Sequence, residues 1–449
     1  MYWKWWYAAA LAAAVVPARA QDEDLSKLRE ALRQLQQQVQ ELEKRVQEAE
    51  AKSGKAQEAA APVPPASAPV QAAQPGRPGG GSNAFNPDIS LILQGTAARS
   101  SLDPNAYQIT GFAPSGGEVK PAPRGFSLGE SELFITSNVD PYFRGQLAAA
   151  LTPENEIEVE EAFFQTLALG RGFTLKGGRF LSGIGYQNEI HQHAWDFQDA
   201  PLAYKAFLGG RLNDDGVQLR WLAPTELFVE LGAELGRGRG FPATDNNRNG
   251  ANAWSLFGHV GGDIGEATAW RAGLSYLGAS PQDRAFTDLN TTQSFTGDSR
   301  TWIADFILKW APNGNSSVTN FKLQGEYFRR EESGALTFDT SSGDYSSRQS
   351  GWYLQAAYQF MPRWRVGYRY DRLDHGTVTN GLGLTAQDAP LLLTDYNPTR
   401  NTAMVDWSLT EFSRFRLQYA LDKSRADMTD NQLLLQYILS LGAHGAHKF

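Results

Sequence analysis

From Asp88 onward the chain follows a two-residue period. In RWRVGYRYD (363–371), Trp364, Val366, Tyr368 and Tyr370 fall on one face, and Arg365, Gly367, Arg369 and Asp371 on the other. RFRLQYALD (414–422) repeats the pattern, with Phe415, Leu417, Tyr419 and Leu421 set against Arg416, Gln418, Ala420 and Asp422. WYLQAAYQF (352–360) and LLLQYILSL (433–441) do the same. Period two builds strands with one apolar and one polar face, and no 3.6-residue stripe competes with it in this region. The body of the chain is therefore expected to be all-β.

The links between these strands alternate in length. Tight ones are read at 140–142, 169–172, 223–226, 263–266, 311–317, 361–363 and 410–413. Longer polar stretches are read at about 101–125, 180–214, 237–251, 278–298, 333–347, 375–398 and 425–430, with a shorter one near 152–156. Seven turns and eight loops imply about sixteen strands, and an even number leaves both ends on the short-turn side. Tyr142, Phe143, Trp221, Trp310, Trp364, Phe412 and Phe415 crowd that side. Strands of ~9–11 residues, short turns on one side and an aromatic belt describe a transmembrane antiparallel β-barrel, the one sheet that leaves no unpaired edge in lipid. A soluble sandwich or propeller gives no reason for aromatics gathered at one set of turns. The final residue, Phe449, is of the kind that ends many such barrels.

The first eighty residues follow different rules. Residues 1–20 carry Lys4, a short Ala/Leu/Val run and a terminal ARA, the layout of a secretory signal peptide. Within 21–52, Leu25, Leu28, Leu32, Leu35, Val39, Leu42 and Val46 alternate at spacings of three and four. Such an unbroken heptad stripe predicts an α-helical coiled coil that needs partner helices. Residues 53–83 are rich in Ala, Pro and Gly and read as a tether to a barrel over 84–449. The coiled coil would hang in the periplasm as a stalk beside the strand termini.

Composition removes several function classes. With no cysteine, neither disulfides nor thiolate metal sites are available, and a net charge of −8 speaks against nucleic acid as a partner. Ser182, in FLSGIG, lacks the flanking pattern of a nucleophile elbow, and nothing in the chain requires a cofactor or points to an enzyme.

NVDPYFRGQLAAAL (138–151) and EIEVEEAFFQTLALGRGFTLKGGRFLSGIG (156–185) resemble the strand–turn–strand signature of the phosphate-selective porin O/P-like superfamily. The blocks at 213–224, 193–197 and 442–449 are similar to a proteobacterial set of outer-membrane proteins within it, some labelled zinc-regulated or TonB-dependent receptor. The receptor label does not suit this chain, which has no room before its first strand for a plug domain. A phosphate filter would need a denser arginine ladder than the sequence offers. The resemblance implies a trimeric outer-membrane porin whose third outer loop folds inward and narrows the channel.

That loop contains NEIHQHAWDFQD (188–199), with two of the chain's six histidines. His191, His193, Trp195, Asp196 and Asp199 are its expected constriction lining. Two imidazoles one residue apart could take a divalent ion, but the sequence shows no third ligand, so the metal question stays open. Alternation turns Arg144, Arg365, Arg369 and Arg416 inward, together with Glu158 and Glu160. An acidic strip on an early strand would then oppose a basic strip on late ones across the lumen. The reading is passive diffusion of small hydrophilic or charged solutes through a homotrimer set in outer-membrane lipid. The alternatives are a structural tether binding peptidoglycan or a periplasmic protein through the stalk, and a zinc-uptake channel.

Overall fold

The computed structural model of the chain describes residues 87–442 apart from 117, 118, 246 and 248. The expected signal peptide, the heptad residues Leu25 to Val46, the tether and the end of the 442–449 block lie outside the described residues.

Eighteen β-segments form one antiparallel sheet, and β1 (Asp88–Ser100) pairs with β18 (Asp430–Gly442) to close it. Two segments add no strand to the ring. β2 (Gly125–Leu128) and β3 (Ser131–Asn138) both pair with β1 and act as one strand broken at Gly129 and Glu130. β11 (Arg284–Asp288) forms a hairpin with the first residues of β12 (Thr291–Trp310), while β12 itself also pairs with β10 (Thr268–Ala279). Sixteen strands thus close the barrel, as the spacing of turns predicted. The remaining early strands are β4 (Phe143–Leu151), β5 (Ile157–Thr166), β6 (Phe173–Leu181), β7 (Asn213–Leu222), β8 (Phe228–Gly236) and β9 (Ala253–Ile264). The late ones are β13 (Asn320–Phe338), β14 (Ser341–Met361), β15 (Trp364–Asn380), β16 (Thr399–Thr410) and β17 (Ser413–Lys423).

Burial is inverted relative to a water-soluble protein. Leu354, Tyr368, Leu417 and Leu435 are exposed on the outside, whereas Gln324, Gln355, Arg369 and Arg416 are buried within. An apolar exterior of this extent is stable against lipid rather than water. At the short-turn end, Trp364, Trp407, Phe415 and Tyr437 run side by side across four strands, with successive ring centres 6.0, 6.0 and 4.6 Å apart. A second girdle, not read from the sequence, crosses the other end through Trp254, Tyr276 and Trp302, then Trp352 and Tyr370. From Trp302 to Trp310, β12 rises ~27 Å along its own axis, or about 20 Å once tilted ~40°, close to the height of an apolar band in such barrels.

The strands do not stop at the second girdle. β12, β13 and β14 run for 20, 19 and 21 residues, well beyond the ~9–11 of a bare membrane span. The polar stretch expected as a loop over 333–347 is therefore mostly strand, paired without a break from Phe338–Ser341 downward. Polarity on both faces made it resemble a loop. In the structure its outer face meets water, and Leu336 and Tyr345 pack inward with Phe286, Phe295 and Leu392.

Candidate functional site

Residues 182–212, between β6 and β7, fold into the barrel. Asn188 ties the neck of this loop: its amide donates to the carbonyls of Ser182 and Leu212 at 2.8 and 2.9 Å, and Leu212 N–H donates back to its side-chain oxygen at 2.8 Å. The loop carries two single 3-10 turns, Gln187–Glu189 and Gln192–Ala194, and one short α-helix, Leu202–Leu208, every residue of which is buried. Gly209 stops it at φ 68°, a left-handed position where a side chain would be strained. Tyr204 and Phe207 meet Phe328 of β13 at ring-centre distances of 5.0 and 5.9 Å. Around them lies an apolar cluster inside the barrel that includes Phe112, Trp195 and Tyr353. Glu326 of β13 accepts from Gln187 N–H at 2.9 Å, Tyr204 O–H at 2.9 Å and Tyr353 O–H at 2.6 Å.

Late strands grip the loop through its two aspartates. Asp199 pairs with Lys205 at 2.8 Å, with Arg369 at 3.1 Å and with Arg400. Asp196 pairs with Lys322 at 2.8 Å and Arg365 at 2.7 Å, and accepts from the Gln355 amide at 3.1 Å. Asp406 of β16 binds Arg365 and Arg416 at 2.6 and 2.8 Å. Two arginines also reach the loop backbone: Arg416 donates to Trp195 O at 3.0 Å, and Arg414 to His193 O at 2.8 Å. Burial alone would raise the Asp196 and Asp199 carboxyls, but the cations around them hold both well below the ordinary carboxylate range.

Early strands hold the histidines with acids. His191 Nδ1 lies 2.9 Å from Glu160 and 3.4 Å from Glu132, and its Nε2 lies 3.1 Å from Glu161. His193 Nδ1 is 3.0 Å from both oxygens of Glu132. Arg211, at the end of the loop, donates to Glu130 at 3.0 Å and to Glu160. A register shift makes this possible: Ala148 pairs with Glu161 and Ala149 with Val159, leaving Glu160 as an extra residue. Both neighbouring acids are consequently buried, which strict alternation forbids. Burial would lower the His191 imidazole, yet its bonds to Glu132, Glu160 and Glu161 hold it well above its ordinary value. Among the described residues, the donor atoms of Glu132, Glu160 and His191 lie within 4.8 Å of one another, a set able to hold a metal ion.

The sequence-predicted residues divide accordingly. His191, His193, Trp195, Asp196, Asp199, Glu160, Arg365, Arg369 and Arg416 meet at the inward loop. Arg144 does not; it is exposed where β4 leaves its tight turn, and its Nε donates to Thr136 at 3.0 Å. Glu158 is exposed too, and lines a cavity of about 670 Å³ between the loop and the β1–β5 side. The expected basic strip facing an acidic one across the lumen meets the loop first: Arg365, Arg369 and Arg416 are bonded to it, and of the expected acids Glu160 is bonded to it while Glu158 faces the cavity. Glu132, Glu161, Arg400 and Asp406 were missed. The adjacent pair Glu160–Glu161, which breaks the alternation, was a signal for Glu161, and the alternation of Asp406 with Val405 and Trp407 was one for Asp406.

No protein-family model matches the chain. It is 32% identical over 393 residues to an uncharacterized protein of Aquifex aeolicus (strain VF5), a match covering 82% of this chain and 80% of that one. Among solved structures it is similar to a loop L8 deletion mutant of OmpT, an outer membrane protein of Vibrio cholerae. That match has a TM-score of 0.50 at 12% identity, over 80% of this chain and 100% of the other. The outer membrane channel DcaP of Acinetobacter baumannii matches 79% of this chain and 97% of its own at TM-score 0.49 and 11% identity. The first of these likenesses shows the fold, a closed outer-membrane-type barrel.

Proposed function

The chain belongs to the same family as the uncharacterized Aquifex aeolicus protein, and on that premise we propose that it is an outer-membrane porin passing small hydrophilic solutes by diffusion. The reading includes a homotrimer in the outer membrane of a Gram-negative bacterium, with the N-terminal stalk in the periplasm. One observation carries it: the third outer loop is bonded to inward side chains around a polar-walled barrel, so it narrows the lumen rather than capping the rim.

The same geometry favours cations. The arginines of β15, β16 and β17 are taken up by Asp196, Asp199 and Asp406. The cavity beside the loop is lined by Glu130, Glu154, Glu156 and Glu158 against Lys120 and Arg124. Rings and walls of like charge set which ions enter a pore. Solutes would pass along the β1–β5 wall.

The test is conductance of the purified protein in planar bilayers with a salt gradient. Openings grouped in threes and a cation-selective reversal potential support the reading. A silent bilayer containing a folded, heat-modifiable barrel would overturn diffusion, and an anion-selective potential would overturn the assigned path.

A further inference from the structure

We propose that His191, Glu132 and Glu160 form a binding site for one divalent transition-metal ion, of the zinc or cobalt class, where the inward loop meets β3 and β5. An ion ~2.0–2.2 Å from nitrogen and oxygen donors in tetrahedral geometry separates those donors by roughly 3.3–3.5 Å. His191 Nδ1 stands 2.9 Å from the Glu160 oxygen and 3.4 Å from the Glu132 oxygen, and the ligand atoms of all three lie within 4.8 Å of one another, so both His191 separations are near that size and the two carboxylates adjust around the ion. Imidazole with carboxylate is a donor set suited to this class rather than to calcium or magnesium, which prefer oxygen alone.

The surroundings carry the assignment further than the three donors do. A metal-bound imidazole ordinarily gives its second ring nitrogen to a carboxylate, which fixes the ring and its tautomer. His191 Nε2 is already 3.1 Å from Glu161, the residue that the bulge in β5 turns inward. Glu132 is held in turn by His193 Nδ1 at 3.0 Å, and Glu160 by Arg211. Glu132, Glu160 and Glu161 are all at least nine-tenths buried, so their charge is not dispersed by water. The ion takes the place of the proton between His191 Nδ1 and Glu160, and that proton leaves to solvent. The route in is the cavity of about 670 Å³, whose lining includes Glu130, Glu158 and Gln192 beside the cluster.

The site goes beyond the porin reading and stands or falls separately from it. The experiment uses the full chain, refolded in detergent without a histidine tag and stripped by chelator. Co²⁺ is titrated while its visible absorption is recorded, and Zn²⁺ is measured by competition with a chromophoric chelator. One Co²⁺ per chain with the strong absorption of a tetrahedral site is expected. His191→Gln should weaken binding at least 100-fold, and Glu161→Gln by about 10–100-fold through loss of the orienting carboxylate. Glu331→Gln, on the outer rim, should bind as the parent does. Heat-modifiable mobility establishes that each variant is folded, and Glu160→Gln substitutes for His191→Gln if the latter is not. Failure of the parent to take up either ion below millimolar concentration, or equal affinity in folded His191→Gln, overturns the site. Conductance of the same preparation separates the two readings: metal-free conduction leaves the porin reading intact, and a metal-loaded silent barrel leaves the site intact.

Discussion

The two sides of the inward loop are fastened by opposite chemistries. On the late-strand side, two loop aspartates sit among arginines and lysines, and each carboxylate engages more than one cation. On the early-strand side, two loop imidazoles sit among four carboxylates. Arginine cannot change its charge in the physiological range, whereas imidazole can. The first side is therefore a fixed clamp, and the second an adjustable contact whose charge depends on what the histidines bind. A loop held equally on both sides would be a permanent plug; a loop held firmly on one side and adjustably on the other can still alter the passage beside it.

The largest break in that comparison should come from Asp199→Asn. It leaves Lys205 without its ion partner and weakens the hold on Arg369 and Arg400, all three of which are buried. Removing one member of a buried pair costs about 3–5 kcal/mol, which corresponds to roughly a 100-fold or greater rise in the population of displaced loop. The initial rate of protease cleavage within 182–212 in the folded barrel should rise by that factor. An increase below threefold would mean that the aspartate side is not the clamp.

Acid should produce the next largest effect, and only at the extreme. Because the folded Asp196 and Asp199 carboxyls are held low, their contribution is complete above the ordinary carboxylate value of ~4 and is lost as pH falls through the depressed values. Loop protection should stay flat from pH 8 to 5 on this side and decline only in strong acid, as read by the same cleavage assay with an acid-active protease. A loss of protection as pH rises above neutrality would instead transfer the clamp to the histidine side, because an imidazole whose value is raised by its carboxylates contributes only while protonated.

His193→Gln should matter less. Glutamine can still donate to Glu132, and His191 remains against the same carboxylate. A single replaced hydrogen bond costs about 1 kcal/mol, or roughly a fivefold gain in cleavage. An effect matching that of Asp199→Asn would erase the asymmetry.

What the sequence disclosed follows the same division. Alternation reports which face a residue takes, because side-chain direction is local, and so Arg365, Arg369 and Arg416 were placed inward correctly. It does not report height along the barrel, so Arg144 was given the right face but belongs at the wrong end. Nor does it report closure: Asp199 meets Arg369 across 170 residues, and His193 meets Glu132 across 61. Neither pairing has a local trace. The loop over 182–212 was readable from its polar length, and its inward path from family resemblance, but not its partners. The polar outer reaches of β13 and β14 were hidden for a different reason. Outside the apolar band both faces of a strand meet polar surroundings or a small core, so the contrast that marks a strand disappears although its ladder continues.

Glu331→Gln supplies the smallest change and tests whether charge inside the barrel differs in kind from charge outside it. Glu331 lies on the outward face of β13, where its carboxylate meets Arg329 at 3.1 Å and Arg348 at 2.9 Å, and all three side chains are exposed by 44% or more. It therefore has as many ionic partners as Asp196, at similar distances. Counting pairs would predict similar consequences for the two substitutions. Solvation predicts otherwise, since an exposed pair gains little beyond what water already gives each charge and is worth at most ~1 kcal/mol. Cleavage of the inward loop should stay within twofold of the parent's, and stability to denaturant within about 1 kcal/mol. If the rim substitution instead loosened the loop as much as Asp196→Asn, the walls of the extended strands would have to transmit strain inward, and burial would no longer account for the strength of the clamp.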